Sequence, residues 1–161
     1  MPSAPHLVRA RFLLRSTVHD PESLSCLLGL VPDASARMGS YVGGSRGPTR
    51  KVHSWYFSTA WTEENLVDGP ALQDLVNQLL DTIQPKAGGL IPLVKAGSVR
   101  ADVVGEVKLL GEYAPWLELS ACSVARMAAL GAGWMVHFLW WGVTSDVTAP
   151  PIPASPAPPH S

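Results

Sequence analysis

The chain has 161 residues, of which 47% are hydrophobic and 16% charged, and its formal net charge is −1. This length suits one ordinary domain, and the apolar share is sufficient for a hydrophobic core, which argues against disorder over most of the chain. The near-neutral charge gives no reason to expect nucleic acid or an anionic membrane as a partner.

The cysteine content and the apolar stretches point to a soluble, cytosolic protein. Two cysteines, Cys26 and Cys122, are too few for a disulfide-stapled secreted domain, and we expect both to be reduced, buried, small hydrophobic residues. Arginines interrupt the apolar residues 7–14, so no signal peptide is predicted. The apolar stretch 127–143 is about one turn short of the ~20 residues of a membrane-spanning helix, and two glycines interrupt it.

The first predicted elements are a strand and a short helix. Polar and apolar residues alternate with a period of two over residues 7–15, which predicts a strand. Asp20 is a good N-cap, Pro21 suits the first helical position, and Gly29 is a good terminator. A helix over residues 21–28 follows from these signals.

The next segment is predicted as a loop, a strand and a long helix. Residues 31–50 contain four glycines and two prolines, which indicates a long loop. A second strand is predicted from about residue 52 to 59, with Trp55 as a core aromatic. Asp68 or Gly69 caps the next helix. Its apolar residues follow the helical period: Leu72, Leu75, Val76, Leu79, Leu80 and Ile83.

The following region is predicted as a short helix and a hairpin. The short helix covers residues 90–94. Residues 99–110 alternate again, and a brief strand over residues 116–119 is expected to pair with them through a turn at 111–115. Leu117 and Leu119 are the expected core pair of that strand.

The last part of the domain is predicted as a helix and a buried strand. Ser120 caps the helix, and its apolar face is predicted to hold Val124, Met127, Ala128 and Leu130. Residues 133–143 are apolar on both faces, which predicts a central strand. Because one small domain could leave such an aromatic strand incompletely covered, a homodimer is also considered.

Beyond residue 146 the composition changes. Residues 147–161 contain six prolines and predict a disordered, extended tail. We therefore divide the chain into a single α+β domain, residues 1–146, and a proline-rich tail, 147–161. The predicted fold is a mixed, mainly antiparallel five-stranded sheet with three to four helices packed mostly on one face.

A set of weak motifs in a fixed order resembles the bacterial family called domain of unknown function 4279. The motifs span roughly residues 7–141 and are Asp20-Pro21-Glu22, Leu27-Leu28-Gly29-Leu30-Val31-Pro32, Gly39, Arg50, Ser54-Trp55, Leu117-Glu118-Leu119-Ser120 and Ala128-Ala129-Leu130-Gly131-Ala132. The resemblance implies a fold and a bacterial, cytosolic setting, but no activity. Relatives often carry Asp-x-Tyr in the closing strand, where this chain has His137-Phe138-Leu139, so no acidic role is carried over.

Patterns for metal or nucleophilic chemistry are weak. No histidine shares a predicted helix with a second potential ligand at i+3 or i+4, so neither a metal site nor a cofactor is predicted. The segment Gly43-Gly44-Ser45-Arg46-Gly47 has Gly-x-Ser-x-Gly spacing, but it leads into a predicted strand rather than a helix, so no nucleophile elbow is predicted. An enzyme that uses His53, Glu118 or His137 as acid–base groups stays open, provided that at least two of them meet in a pocket.

A glycine-rich loop over residues 39–51 is a candidate anion site. Backbone N–H groups of such a loop can surround an anion, with help from Arg46, Arg50 and Lys51. The loop lacks the spacing of a phosphate-binding P-loop and precedes a strand rather than a helix. A flexible connector is the alternative interpretation.

The polar sides of the predicted strands form the leading candidate for function. If these sides coincide, one sheet face is charged and mixed in sign, either as a solvated surface or as a site for a protein partner, since arginine and tryptophan are common at binding hot spots. Its predicted members are Arg9, Arg11, Arg15, Arg100, Asp102, Glu106, Lys108, Trp116 and Glu118. The leading hypothesis is a non-enzymatic interaction domain, immunity-like or regulatory, whose partner-binding residues are Arg9, Arg11, Arg15, Arg100, Trp116 and Glu118.

Overall fold

Six strands and four α-helices make up the described part of the chain, which in this computed structural model is residues 6–43, 46–64, 71–109 and 117–140. In chain order they are β1 (His6–Ser16), α1 (Pro21–Leu28), β2 (Ala34–Ala36), β3 (His53–Ser58), β4 (Thr62–Glu64), α2 (Ala71–Ile83), α3 (Leu90–Lys95), β5 (Arg100–Leu109), α4 (Ala121–Ala129) and β6 (Gly133–Trp140). A short 3-10 turn, Gln84–Lys86, follows α2 where Pro85 interrupts it.

The strands form one sheet in the order β2-β3-β1-β5-β6, and β4 pairs with the start of β1. β1 is antiparallel to β3, β4 and β5, whereas β5 and β6 are parallel. The prediction of a mixed, mainly antiparallel sheet is thus confirmed. The described residues add two short strands, β2 and β4, to those expected.

All four helices contribute to one hydrophobic core on a single face of the sheet. The apolar side of β1 supplies Val8, Ala10, Phe12 and Leu14, each fully buried. Burying these side chains and the apolar stripe of α2 provides the main stabilisation of the fold, at about 25 cal/mol per Å² of apolar surface. In the described part of the chain, the sheet therefore has one face covered by helices and one face without them.

The predicted caps of α1 and the predicted core residues of α2 and β3 are confirmed. The Asp20 carboxylate accepts a hydrogen bond from the Ser23 N–H at 2.8 Å, and Gly29 ends α1 in the left-handed conformation with φ +60°. All six predicted apolar residues of α2 are buried. Trp55 is fully buried, and its indole N–H donates to Ser25 Oγ at 2.9 Å.

The prediction of a hairpin between residues 99–110 and 116–119 is wrong. β5 lies between β1 and β6, so both of its edges are already paired, and residues 117–119 belong to no strand. Leu117 and Leu119 still pack against the core as expected. The predicted turn at 111–115 lies outside the described residues.

The central position predicted for the last strand is also wrong. β6 is the edge strand next to β5, and β1 holds the central position. The exposed fraction is 45% for Phe138 and 38% for Leu139. The apolar residues on both faces of β6 therefore do not mark a strand that has neighbours on both sides.

Three further expectations are corrected. Cys26 and Cys122 are both unpaired but exposed, because each lies on the solvent side of its helix. Val124 is 50% exposed and Ala128 is exposed, whereas Met127 and Leu130 are buried as predicted and Ser123 is buried beside them. The region predicted as a loop contains β2, which pairs with β3, and a bridge between Tyr41 and Thr49 that continues the same register.

Some expectations lie outside the described residues, namely the α2 caps at 68–70 and the proline-rich tail at 147–161. In the portion that is described, no helix has both the length and the apolar character to cross a membrane.

Candidate functional site

The sheet face opposite the helices carries a cluster of charged side chains from β1 and β5. Odd-numbered residues of β1 and even-numbered residues of β5 point to this side, because side chains alternate along a strand. The register places Arg9 opposite Glu106 and Arg15 opposite Arg100. We call this cluster the arginine face, and its members are Arg9, Arg11, Arg15, Arg100, Asp102, Glu106 and Lys108.

Glu106 is held by two arginines. Its carboxylate accepts hydrogen bonds from Arg9 Nε and, at 2.9 Å, from Arg11 Nη1. Burial alone would raise the pKa of Glu106, since only 8% of its side chain is exposed, but the hydrogen bonds and charges of Arg9 and Arg11 outweigh burial and lower the pKa. The carboxylate is therefore ionised and fixed in place.

Asp102 forms a second centre of the same kind. Arg15 Nη2 donates to Asp102 Oδ2 at 2.8 Å, and Arg100 Nε donates to the same oxygen at 3.1 Å. Only 2% of the Asp102 side chain is exposed, compared with 67% of Arg100. Gly133 on β6 makes room for this carboxylate, because an added Cβ would lie 2.6 Å from Asp102 Oδ1.

Two aromatic rings stack on the cations. The Arg9 guanidinium and the Lys108 ammonium lie 4.4 and 4.3 Å from the centre of the Trp61 ring, and the Arg11 guanidinium lies 4.4 Å from the Tyr56 ring. Such cation–π contacts contribute about 0.5–2 kcal/mol each and limit side-chain rotation. Arg9 and Arg11 are thus each held on two sides, by the Glu106 carboxylate and by an aromatic ring.

The arginine face is charged as predicted, but it is not an ordinary solvated surface. Arg9, Arg11 and Arg15 expose 24%, 18% and 34% of their side chains. Leu13 and Val104, which point to the same face, are buried. Long arginine side chains can cover such an apolar surface, and the Nε of Arg15 is itself buried.

The structure brings together seven of the nine residues predicted for this face. Glu118 lies in a segment on the helix-covered side of the sheet. Its neighbours Leu117 and Leu119 pack against the core, and the Ser120 N–H donates to Gln73 on α2. Trp116 lies outside the described residues. The sequence interpretation missed Tyr56 and Trp61; strand alternation could have indicated Tyr56, but no local signal marks Trp61, which precedes the short strand β4.

The candidate anion loop forms a hairpin-like extension of β2 and β3. The N–H of Gly39 donates to Arg50 O at 2.9 Å, and the N–H of Val42 donates to Pro48 O at 3.1 Å. These backbone donors are therefore used within the chain. Arg46 and Lys51 are exposed, and Arg50 is half-buried.

The three groups considered for acid–base catalysis do not meet. His53 and His137 lie on β3 and β6, which are separated by β1 and β5, a lateral distance of about 14 Å at ~4.8 Å per strand. Glu118 is on the helix-covered side. A groove of about 430 Å³ between α2 and the β3–β4 connection has no ionisable residue in its lining. Within the described ranges, no group of three His, Cys, Asp or Glu side chains is placed to hold a metal ion.

Comparison with known proteins supplies the family. No curated protein and no solved structure matches the chain. The family model described as domain of unknown function (DUF4279) matches residues 6–139, which include all six strands and four helices almost completely. The chain therefore belongs to the DUF4279 family.

Proposed function

We propose that this domain is a non-enzymatic interaction module that binds an acidic surface of a protein partner through the arginine face, in an immunity-like or regulatory role. The observation that supports this most is the charge of the face. Four arginines and Lys108 surround two buried carboxylates, Asp102 and Glu106. Glu63 on β4 lies opposite Leu7 and faces the same side, so cations outnumber anions by five to three. A chain with a net charge of −1 thus concentrates positive charge on one side.

The arginines of this face are suited to binding because they are already positioned. Ordering a free arginine at an interface costs about 0.5–1.5 kcal/mol of rotamer entropy. Here Arg9 and Arg11 are held by Glu106 and by aromatic rings, so most of that cost is met before a partner arrives. Arginine presents a planar set of donors that matches carboxylates, which favours an acidic partner.

The test uses charge reversal at Arg100, the most exposed arginine of the face. A partner is first captured by affinity purification with the full chain. The partner is then purified, and its affinity for the chain is measured by calorimetry. Arg100→Glu is expected to weaken binding at least about tenfold, and Arg11→Ala and Trp61→Ala to weaken it as well. Binding by the wild type should also decrease as salt is added.

The matched control is Lys95→Glu on α3, an exposed cation outside the arginine face. It carries the same change of charge and is expected to leave affinity unchanged. If Arg100→Glu and Arg11→Ala bind as tightly as the wild type, the arginine face is not the binding surface.

We also consider a second function, binding of a small anion near Arg46, Arg50 and Lys51. No acidic residue occurs between residues 34 and 62, so this segment is strongly cationic. Thermal-shift measurements with inorganic phosphate and with nucleotides provide the test. A rise in Tm that is absent from the Arg46→Ala/Lys51→Ala variant supports this function, and no shift at millimolar ligand contradicts it.

A further inference from the structure

We propose that two copies of this chain pair through the outer edges of their β6 strands, which joins the two sheets into one. The outer edge of β6 has no strand partner among the described residues. β6 pairs with β5 without interruption from Gly133 to Trp140, so its free edge presents a regular row of backbone N–H and C=O groups. The groups of such a row form their hydrogen bonds best with the backbone of another strand.

β6 lacks the features that usually protect an edge strand. Short length, a lysine, a proline or a bulge normally prevents pairing with other molecules. β6 is eight residues long, its register with β5 has no bulge, and it contains no Lys, Arg, Asp, Glu or Pro. Phe138 and Leu139 are exposed on opposite faces of the sheet. A long, regular and apolar edge of this kind is expected to be covered in solution.

A second copy suits this edge because β6 is complementary to itself. In an antiparallel pair, like-facing side chains lie opposite each other. If the two-fold axis passes at His137, Phe138 lies opposite Val136 of the second copy and Leu139 lies opposite Met135. β6 contains no Lys, Arg, Asp or Glu, and the two copies of His137 at the axis are the ionisable side chains of this strand that face each other. The sequence of residues 147–161 is poorly suited to pair with this edge, because it contains six prolines, which lack an N–H.

The same two-fold axis has a consequence for the rest of the surface. An axis perpendicular to the sheet keeps both helix layers on one side and both arginine faces on the other. The dimer would therefore present two arginine faces side by side. The pairing itself rests only on β6 and does not depend on the function proposed for the arginine face.

Sedimentation equilibrium on the full chain over a concentration series tests the dimer. The expected species has twice the 17.2 kDa of the chain. The double variant His137→Lys/Leu139→Lys places charges on exposed positions of the edge and is expected to weaken dimerisation at least about tenfold. The matched control, Val18→Lys/Val124→Lys, changes two exposed valines elsewhere and should leave the dimer intact.

Circular dichroism of each variant verifies that it is folded. A wild type that stays monomeric at every concentration overturns the proposal. A dimer that persists unchanged in the lysine variant overturns it as well, because the contact then lies elsewhere on the molecule.

Cysteine crosslinking tests the position of the axis. In a Cys26→Ser/Cys122→Ser background, His137→Cys is expected to form a covalent dimer under mild oxidation, because residues opposite each other across strands have Cα atoms about 4.5–5.5 Å apart. Leu139→Cys should crosslink poorly, since it lies opposite Met135 of the second copy. Val18→Cys, on an exposed position, reports random collision. Equal crosslinking at positions 18 and 137 would overturn the proposed pairing.

Discussion

Two buried glutamates show how the surroundings of a single residue set its contribution to stability. Glu106 has its pKa lowered, because Arg9 and Arg11 outweigh the effect of burial. Glu64 has its pKa raised, because burial dominates and the nearby Leu72 backbone and His6 offset only part of it. The two carboxyls therefore change the free energy of unfolding in opposite directions as the pH changes.

Glu106→Gln is expected to destabilise the fold by about 1–3 kcal/mol at neutral pH, because it weakens two charge-assisted hydrogen bonds. A lowered folded-state pKa gives stability that is present above the ordinary value of 4.5 and is lost as the pH falls through the folded-state pKa. The difference between wild type and variant should therefore shrink in acid. Urea unfolding over a pH series measures it, and a pH-independent difference would contradict the assigned ion pairs.

Glu64→Gln should show the reverse trend. A raised folded-state pKa gives a contribution that is complete below 4.5 and is lost as the pH rises through the folded-state pKa. The variant, which cannot ionise, is expected to match the wild type in acid and to exceed its stability at neutral pH by a few tenths to about 1 kcal/mol. The same urea series measures both variants, and a less stable Gln variant at neutral pH would show that ionised Glu64 is favourably bound.

Gly133 tests the close approach between β6 and Asp102. Gly133→Ala places a methyl group 2.6 Å from Asp102 Oδ1, which forces the buried carboxylate away from Arg15 and Arg100. We expect a loss of about 1–3 kcal/mol in the free energy of unfolding. Gly88→Ala is the control, because its added methyl group has no neighbour within 4 Å. Equal stability of the two variants in urea unfolding would contradict this role of Gly133.

At the scale of the element, α2 and α4 show what periodicity predicts and what it misses. α2 is an amphipathic helix whose whole apolar stripe is buried, so its hydrophobic periodicity was sufficient to predict which of its residues face the core. α4 instead meets α2 through polar groups: Ser123 Oγ accepts from Gln73 Nε2 at 2.6 Å and donates to Asn77 Oδ1 at 2.7 Å. Hydrophobic periodicity cannot indicate a contact made by hydrogen bonds, and Val124 was therefore assigned to the wrong face.

Ser123→Val tests this polar contact between α2 and α4. The change replaces the hydroxyl with a methyl group and adds a second methyl group at a fully buried position, which leaves Gln73 and Asn77 without their buried partner. We expect a loss of about 1–3 kcal/mol in the free energy of unfolding. Val124→Ser, at the exposed neighbouring position, should change stability by less than about 0.5 kcal/mol. Thermal and urea unfolding measure both, and an unaffected Ser123→Val would show that the network adds no stability.

The order of strands could not be predicted from local pattern either. Residues 99–110 and 133–143 were each recognised as strands, but their parallel pairing depends on α4, which carries the chain back across the helix-covered face. A continuous apolar run is typical of a central strand, and β6 departs from that rule as an edge strand. Within the described part of the chain nothing covers this apolar edge, which is why it carries the dimer proposal.

At the scale of the whole molecule, the alternation of β1 and β5 was enough to predict most of the arginine face. Odd residues in one strand and even residues in the other reach the same side only because β1 and β5 pair in one particular register, with Arg9 opposite Glu106. Of the two aromatic partners, Trp61 could not be predicted, since it reaches Arg9 and Lys108 from a different part of the chain. Contacts between segments distant in sequence therefore decide the details of the site.

A second prediction at this scale concerns the proline-rich sequence after residue 146. The family model ends at residue 139, and the core cluster of the described residues draws its buried members from residues 8 to 130. We therefore expect removal of residues 147–161 to change the free energy of unfolding by less than about 0.5 kcal/mol, because the tail sequence has six prolines and few apolar residues to bury.

Urea unfolding and sedimentation equilibrium of the chain ending at residue 146 provide the measurement. The same truncation should leave the β6 dimer intact, since β6 ends at Trp140. A matched control is the full chain in which the six tail prolines are replaced by serine, which keeps the length and removes the rigid residues. A loss of more than about 1 kcal/mol on truncation would show that the tail packs on the domain. A loss of dimer alone would show instead that the tail takes part in the contact between copies.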